Sequence, residues 1–144
     1  MMDVDFTFLD SNVWVYAFAS NPDDAKHLRA NELIEQSNLR ISTQVIGEVC
    51  NALLRKARFS ESRIKKLIES FYERFDPIEI RNRNQMLRAS SLRERYNFSH
   101  WDSFIVLAAL ESKCSILYSE DMQDGLVVEG TLTIQNPFKE MASH

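Results

Sequence analysis

Phe6-Thr7-Phe8-Leu9 runs directly into Asp10, then Ser11, Asn12 and the nearly all-apolar residues 13–19. A short apolar run that stops at a carboxylate and resumes predicts a buried strand, a sharp turn and a buried helix. Asp10 then stands at the carboxyl end of the strand, and in open α/β sheets ligands bind along that edge. One dull explanation competes. Asp is a good helix N-cap, but Ser11 and Asn12 offer caps as well. A carboxylate that ends an apolar strand loses hydration and needs a partner or a metal.

The rest of the chain alternates in the same way. Residues 22–35 predict a helix, with Asn21 as cap and Pro22 in the first turn. Residues 39–42 predict a strand and 43–56 a helix with Val45, Ile46, Val49, Cys50, Leu53 and Leu54 inward. Ser60 caps a helix to about Arg74. Residues 77–80 predict a third strand, and 82–96 a helix. Ser99 caps a helix to about Lys113 that is apolar nearly all round, which predicts the most buried helix. Residues 115–118 and 132–134 predict the fourth and fifth strands, with an acidic turn at 119–125. Strands alternating with helices imply an α/β fold of three layers: a five-stranded parallel sheet with helices on both faces. At 144 residues, the expectation is one domain over 1–144.

Three further acids are expected at the edge that holds Asp10. Glu48 sits inside the 43–56 helix with no cation three or four residues on. Gly47 beside it is costly in a helix, which points to close approach of backbone or ligand. Asp102 follows Ser99 at the spacing of a capping box; capping and chemistry are both open to it. Asp121 follows the fourth strand as Asp10 follows the first. Four carboxylates at one edge repel unless cations sit among them. An all-oxygen set suits Mg²⁺ or Mn²⁺, and such ions promote attack of water on a phosphodiester.

Charge supports a polyanionic partner. The chain carries −4 overall, but residues 51–95 hold 12 Lys/Arg against 6 Asp/Glu. A basic middle with acidic ends suits a chain that approaches nucleic acid and also holds cations. A solvated helix pair explains the same charges. Arg55, Lys56, Arg58, Arg63, Lys65 and Lys66 are the candidates. No run approaches the length of a membrane helix. The acidic start of the chain lacks the basic region of a signal peptide. Cys50 and Cys114 lie in apolar helical patterns and read as reduced core thiols, so a cytoplasmic location is expected. His27, His100 and His144 are far apart; only His100 lies beside a candidate acid.

Leu9-Asp10-Ser11-Asn12, Ile46-Gly47-Glu48-Val49, Trp101-Asp102-Ser103-Phe104-Ile105 and Leu117-Tyr118-Ser119-Glu120-Asp121 resemble, in order, the motifs of PIN-domain nucleases. Ile134-Gln135-Asn136-Pro137-Phe138 is similar to the ending of VapC-type toxins. The resemblance implies strand order 3-2-1-4-5 and Mg²⁺- or Mn²⁺-dependent endoribonuclease activity. It also implies inhibition by a cognate antitoxin, and a homodimer. It makes Asp10, Glu48, Asp102 and Asp121 the catalytic, metal-binding acids, with Asn12 and Ser119 supporting them. Glu120 and Asp124 are left without a role. The alternatives are a PIN-like scaffold that binds RNA or protein without cleaving, and a receiver-like phosphoacceptor. The latter usually needs a Lys on a late strand, which is missing here.

Overall fold

The computed structural model describes residues 5–19 and 21–141. Asp3, part of the acidic start of the chain, and His144 lie outside them. Chain order is β1 (Phe6–Leu9), α1 (Ser11–Ala19), α2 (Ala25–Ile34), β2 (Leu39–Arg40), α3 (Thr43–Lys56), α4 (Glu61–Arg74), α5 (Arg83–Tyr96), α6 (His100–Glu111), β3 (Cys114–Tyr118), β4 (Val127–Val128) and β5 (Leu132–Gln135). The fold is the expected α/β class, with a mostly parallel five-stranded sheet and six helices.

Sheet order is β2-β1-β3-β5-β4. β1 lies between β2 and β3, parallel to both, with Phe8 opposite Arg40 on one side and Leu117 on the other. β5 runs parallel to β3. Each of these four strands therefore ends at the same edge. The central strands are apolar on both faces: Phe8, Leu9, Leu117 and Ile134 are fully buried, as expected when helices cover both sides of a parallel sheet.

Two strand assignments differ from the sequence reading. Residues 77–80 form a single parallel bridge, Ser42 to Ile78. Pro77 has no N–H to give a ladder, and the Glu79 carbonyl is taken by the Gln85 side chain at 3.1 Å. The fifth strand of the sheet is instead β4, antiparallel to β5. It turns back through Glu129 and Gly130, both at positive φ (51° and 71°), the geometry that a tight hairpin turn requires. Cys114, read as helical, opens β3.

Helix ends follow their caps. Ser42, Ser60, Asn82 and Ser99 each accept from the third helical amide. At α2 the cap is Asp24, not Asn21; the Asp24 side chain accepts from Lys26 N, and Pro22 and Asp23 stay in the preceding turn. α6 is the buried helix expected, with every residue from Ser103 to Ala109 inside. Its weight in the core fixes where Asp102, in its first turn, can stand. Cys50 and Cys114 are free and buried; burial pushes the Cys114 thiol up to about 12, far from reactive.

Candidate active site

Asp10 is 3% exposed. Its amide donates to Tyr118 O at 2.9 Å, so it extends the β1–β3 ladder by one step. The side chain does not act as an N-cap, which would accept from the second or third helical amide. One oxygen accepts from Ser11 N, the first, at 2.7 Å. The other accepts from Ser119 Oγ at 2.7 Å. Burial raises the Asp10 carboxyl to about 6, and the Ser119 and Ser11 hydrogen bonds oppose the rise. The negative fields of Glu48 and Asp102 add to it.

Those fields place the other acids. Asp102, half-buried, is also raised above the usual carboxylate range, first by burial and then by Asp121, with Ser99 opposing. The four candidate acids thus form a chain of neighbouring charges, with Glu48 and Asp102 acting on Asp10 and Asp121 acting on Asp102. Asp102 keeps the backbone half of a cap: its amide donates to Ser99 Oγ at 3.2 Å. Glu48 accepts from Gln44 Nε2 at 3.1 Å. Asp121 accepts from Asn12 Nδ2 at 3.1 Å.

Ser119 is fully buried and serves three partners at once. It donates to Asp10 and accepts from the amides of Asp121 and Met122 at 3.2 and 3.3 Å. Asn12 completes a second tie, with Oδ1 receiving the Glu120 amide at 3.5 Å. The loop after β3 is therefore bolted to the β1–α1 turn at Ser119, Glu120 and Asp121.

Ion pairing separates the acids into two sets. Glu120 binds Lys26 Nζ at 2.7 Å and the Tyr16 hydroxyl at 2.8 Å. Asp124 binds Lys139 at 3.1 Å and the Asn136 amide at 2.8 Å. Those two acids are spent on holding the loop and the chain end. Among the described residues, Asp10, Glu48, Asp102 and Asp121 pair with no cationic side chain. Sequence reasoning missed Lys26 and Tyr16, because nothing local links residues 16 and 26 to residue 120.

Unpaired carboxylates in a partly dehydrated cleft suit a cation. Among the described residues no three His, Cys, Asp or Glu side chains form a ready-made cage. Mg²⁺ does not need one: it keeps several waters and uses one or two carboxylates. The donor set therefore fits a hard divalent ion.

Gly47, expected to admit a close neighbour, meets no protein: a Cβ there would touch nothing within 4 Å. The backbone explanation falls, and open space beside Glu48 remains. A cavity of about 420 Å³ adjoins the site, lined by Asn12, Tyr16, Ala52, Lys56, Glu120 and Asp121 among others. Lys56 is the only one of the six basic candidates that lines it. All six are exposed. The Arg63 guanidinium lies over the Phe59 ring at 3.7 Å. His27 is tied to Tyr16 O and Asn31, and His100 packs edge-on against Trp101 and Phe104.

The PIN domain profile matches residues 7–123, from β1 through the loop that carries Asp121. The chain belongs to the PIN domain family. A receiver-like module is thereby set aside. Two solved structures share this PIN fold. One is described as a toxin–antitoxin complex from Klebsiella pneumoniae, with a TM-score of 0.66 and 18% identity over 91% of this chain and 97% of that one. The other is VapC20 of Mycobacterium tuberculosis, described as a toxin that cleaves the sarcin-ricin loop; it has a TM-score of 0.63 and 18% identity over 80% and 89% of the two chains. No curated protein matches the sequence. Among the described residues no helix is long and apolar enough to cross a membrane.

Proposed function

We propose that this PIN domain, spanning the whole chain, is an Mg²⁺- or Mn²⁺-dependent endoribonuclease that serves as the toxin of a toxin–antitoxin pair. The observation that carries the chemistry is the division of acids: two are neutralised by lysines, and the four of the family's motifs are not. The toxin assignment draws support from the two PIN-fold neighbours, one from a toxin–antitoxin complex and the other a toxin. A cognate antitoxin, and a second copy of the chain in a homodimer, are the protein partners of this reading.

Asp10, Asp102 and Asp121 would hold the ion, in part through the waters it retains, with Glu48 completing the set. When bound, the ion supplies positive charge to a phosphodiester oxygen and makes water easier to ionise. Ser119 and Ser11 fix both oxygens of Asp10, so the carboxylate does not need to reorganise. Asn12 holds Asp121 in the same way. Gln44 anchors one oxygen of Glu48, leaving the other to orient the attacking water. Lys56 faces the adjoining cavity as a contact for a neighbouring phosphate. Water forms the new bond to phosphorus in line, the bond to the 3′ oxygen breaks, and the products are a 5′-phosphate and a 3′-hydroxyl.

The test is cleavage of total RNA by purified protein, with Mg²⁺ or Mn²⁺ and with EDTA, followed by sequencing of the new ends. Cutting should require the ion. Asp10→Asn and Asp102→Asn should abolish it while the fold persists by circular dichroism. Full activity in EDTA would overturn the metal-dependent reading, and no cleavage of any RNA would favour a binding scaffold.

A further inference from the structure

α3 carries Gln44, Glu48, Ala52 and Lys56 at four-residue spacing, a stripe about 18 Å long on one helix face. The stripe joins two hollows. Ala52 and Lys56 line the cavity beside Asp121. At the other end Gln44 lines a second cavity of about 440 Å³, with Ile80, Met86, His100, Trp101 and Phe104. Glu48 lies between the two. The second hollow has no carboxylate, lysine or arginine in its wall, so it suits a neutral group.

Trp101, next in the chain to Asp102, is part of the wall of this hollow. It is 62% exposed, with Met86 beside the same hollow 46% exposed. A single exposed apolar residue is ordinary, but Trp101 is held in place. Its ring packs edge-on against His100 at 4.8 Å between centroids, and lies 6.1 Å from Phe104. Its carbonyl accepts from Gln44 Nε2 at 3.2 Å, and that same amide donates to Glu48. One side chain therefore positions both the aromatic wall and a candidate catalytic acid.

Resting on the ribonuclease reading, we propose that Trp101 and the neutral hollow behind it form a subsite for one unpaired nucleobase next to the scissile phosphate. A polynucleotide that reaches Lys56 with a phosphate and passes Glu48 carries bases at the intervals between its phosphates. A flat, neutral group with hydrogen-bonding edges fits an aromatic wall flanked by Thr43, Gln44 and His100. A base still stacked inside a duplex cannot enter, so the cut strand is single-stranded at this position.

The chain has two tryptophans. Trp14 is buried at 1% exposure, so Trp101 dominates quenching by acrylamide. The experiment uses Asp10→Asn protein with Mg²⁺ and two probes, a single-stranded octaribonucleotide pool of randomised sequence and an RNA duplex. The single strand should quench Trp101 emission and protect it from acrylamide; the duplex should do neither. Trp101→Ala should weaken single-strand binding roughly 5- to 100-fold, the range for one base–aromatic stack. The salt slope should stay unchanged, because no phosphate contact is lost. Trp101→Phe should restore most of the affinity. Salt-sensitive binding with unaltered Trp101 emission, and normal affinity in Trp101→Ala, would overturn the subsite and leave the ribonuclease reading standing. Absence of RNA binding would overturn both. Emission changes that follow protein concentration, without RNA, would assign the surface to a second copy of the chain and overturn the subsite.

Discussion

Ser119 Oγ donates to Asp10 Oδ2 across 2.7 Å and 109 positions of sequence. The bond lies wholly inside the protein and joins the ends of β1 and β3. It stabilises the ionised form of a carboxylate that burial disfavours. Ser119→Ala should raise the Asp10 carboxyl above its present value of about 6. It also strands the Asp121 and Met122 amides that the hydroxyl receives. A loss of about 1–3 kcal/mol is expected in urea melts, the usual cost of buried groups left unpaired. Mn²⁺ affinity, read by electron paramagnetic resonance, should fall with it. An unchanged affinity would reduce Ser119 to a packing role.

Asp10 itself predicts a pH dependence. Its folded carboxyl is raised to about 6, so between about pH 4 and 6 the folded state binds more protons than the unfolded state. Stability from this group is present at acid pH and lost as pH rises through 6. In EDTA, the difference between wild type and Asp10→Asn should move by on the order of 2 kcal/mol from pH 4 to pH 8. Asp10→Asn should melt above wild type at pH 8 and below it at pH 4. Added Mg²⁺ should stabilise wild type far more than the variant at pH 8, because the ion binds only the folded site. Parallel melting curves across the pH range would contradict clustered, unpaired acids.

Gly47→Ala separates stability from function. The new Cβ meets nothing within 4 Å, so the folded protein should gain about 1 kcal/mol from helix propensity. If a substrate strand passes over this turn of α3, RNA affinity should drop in the same variant. Guanidinium melts and filter binding on Asp10→Asn protein measure the two effects. A more stable variant with undiminished binding would show that the strand takes another path.

Lys56 should differ from the other basic residues. It alone of the six lines the cavity beside Asp121, whereas Arg63 is stacked on Phe59. Lys56→Ala should reduce the slope of log affinity against log salt by about 1. Arg63→Ala should leave the slope alone. Equal effects from both would mean that the basic face acts as a diffuse field.

The elements that place the site were legible because each carries a strong local signal. The apolar run into Asp10, the Ser caps at 60 and 99, and the all-round apolar α6 all fold as their residues dictate, whereas Ser42, read as the end of a strand, caps α3. What failed was short or non-local. β4 has two residues, too few to show a period. At 77–80 the pattern was strand-like, but Pro77 and the Gln85 cap on Glu79 removed the partners a ladder needs. Asn21 and Asp24 are both capping residue types, but Asn21 accepts from the Asp23 amide in the preceding turn and Asp24 caps the helix. At the site, the carboxylate positions could be read from chain order. The roles of Glu120 and Asp124 could not, since Lys26 and Lys139 reach them only after folding.

The sheet has almost no free edge. On one side β2 is two residues long and is flanked by the Ser42–Ile78 bridge; on the other, the two-residue β4 folds back on β5. Edges this short give an incoming strand nothing to extend. If the proposed toxin reading holds, a restraining partner would be received by helix surfaces, as a side-chain interlock and not as an added strand. Restraint of that kind leaves the β1–β3 ladder, and the carboxylate fixed at its end, undisturbed. On that reading the centre would stay assembled while held inactive, and release alone would restore it without a refolding step.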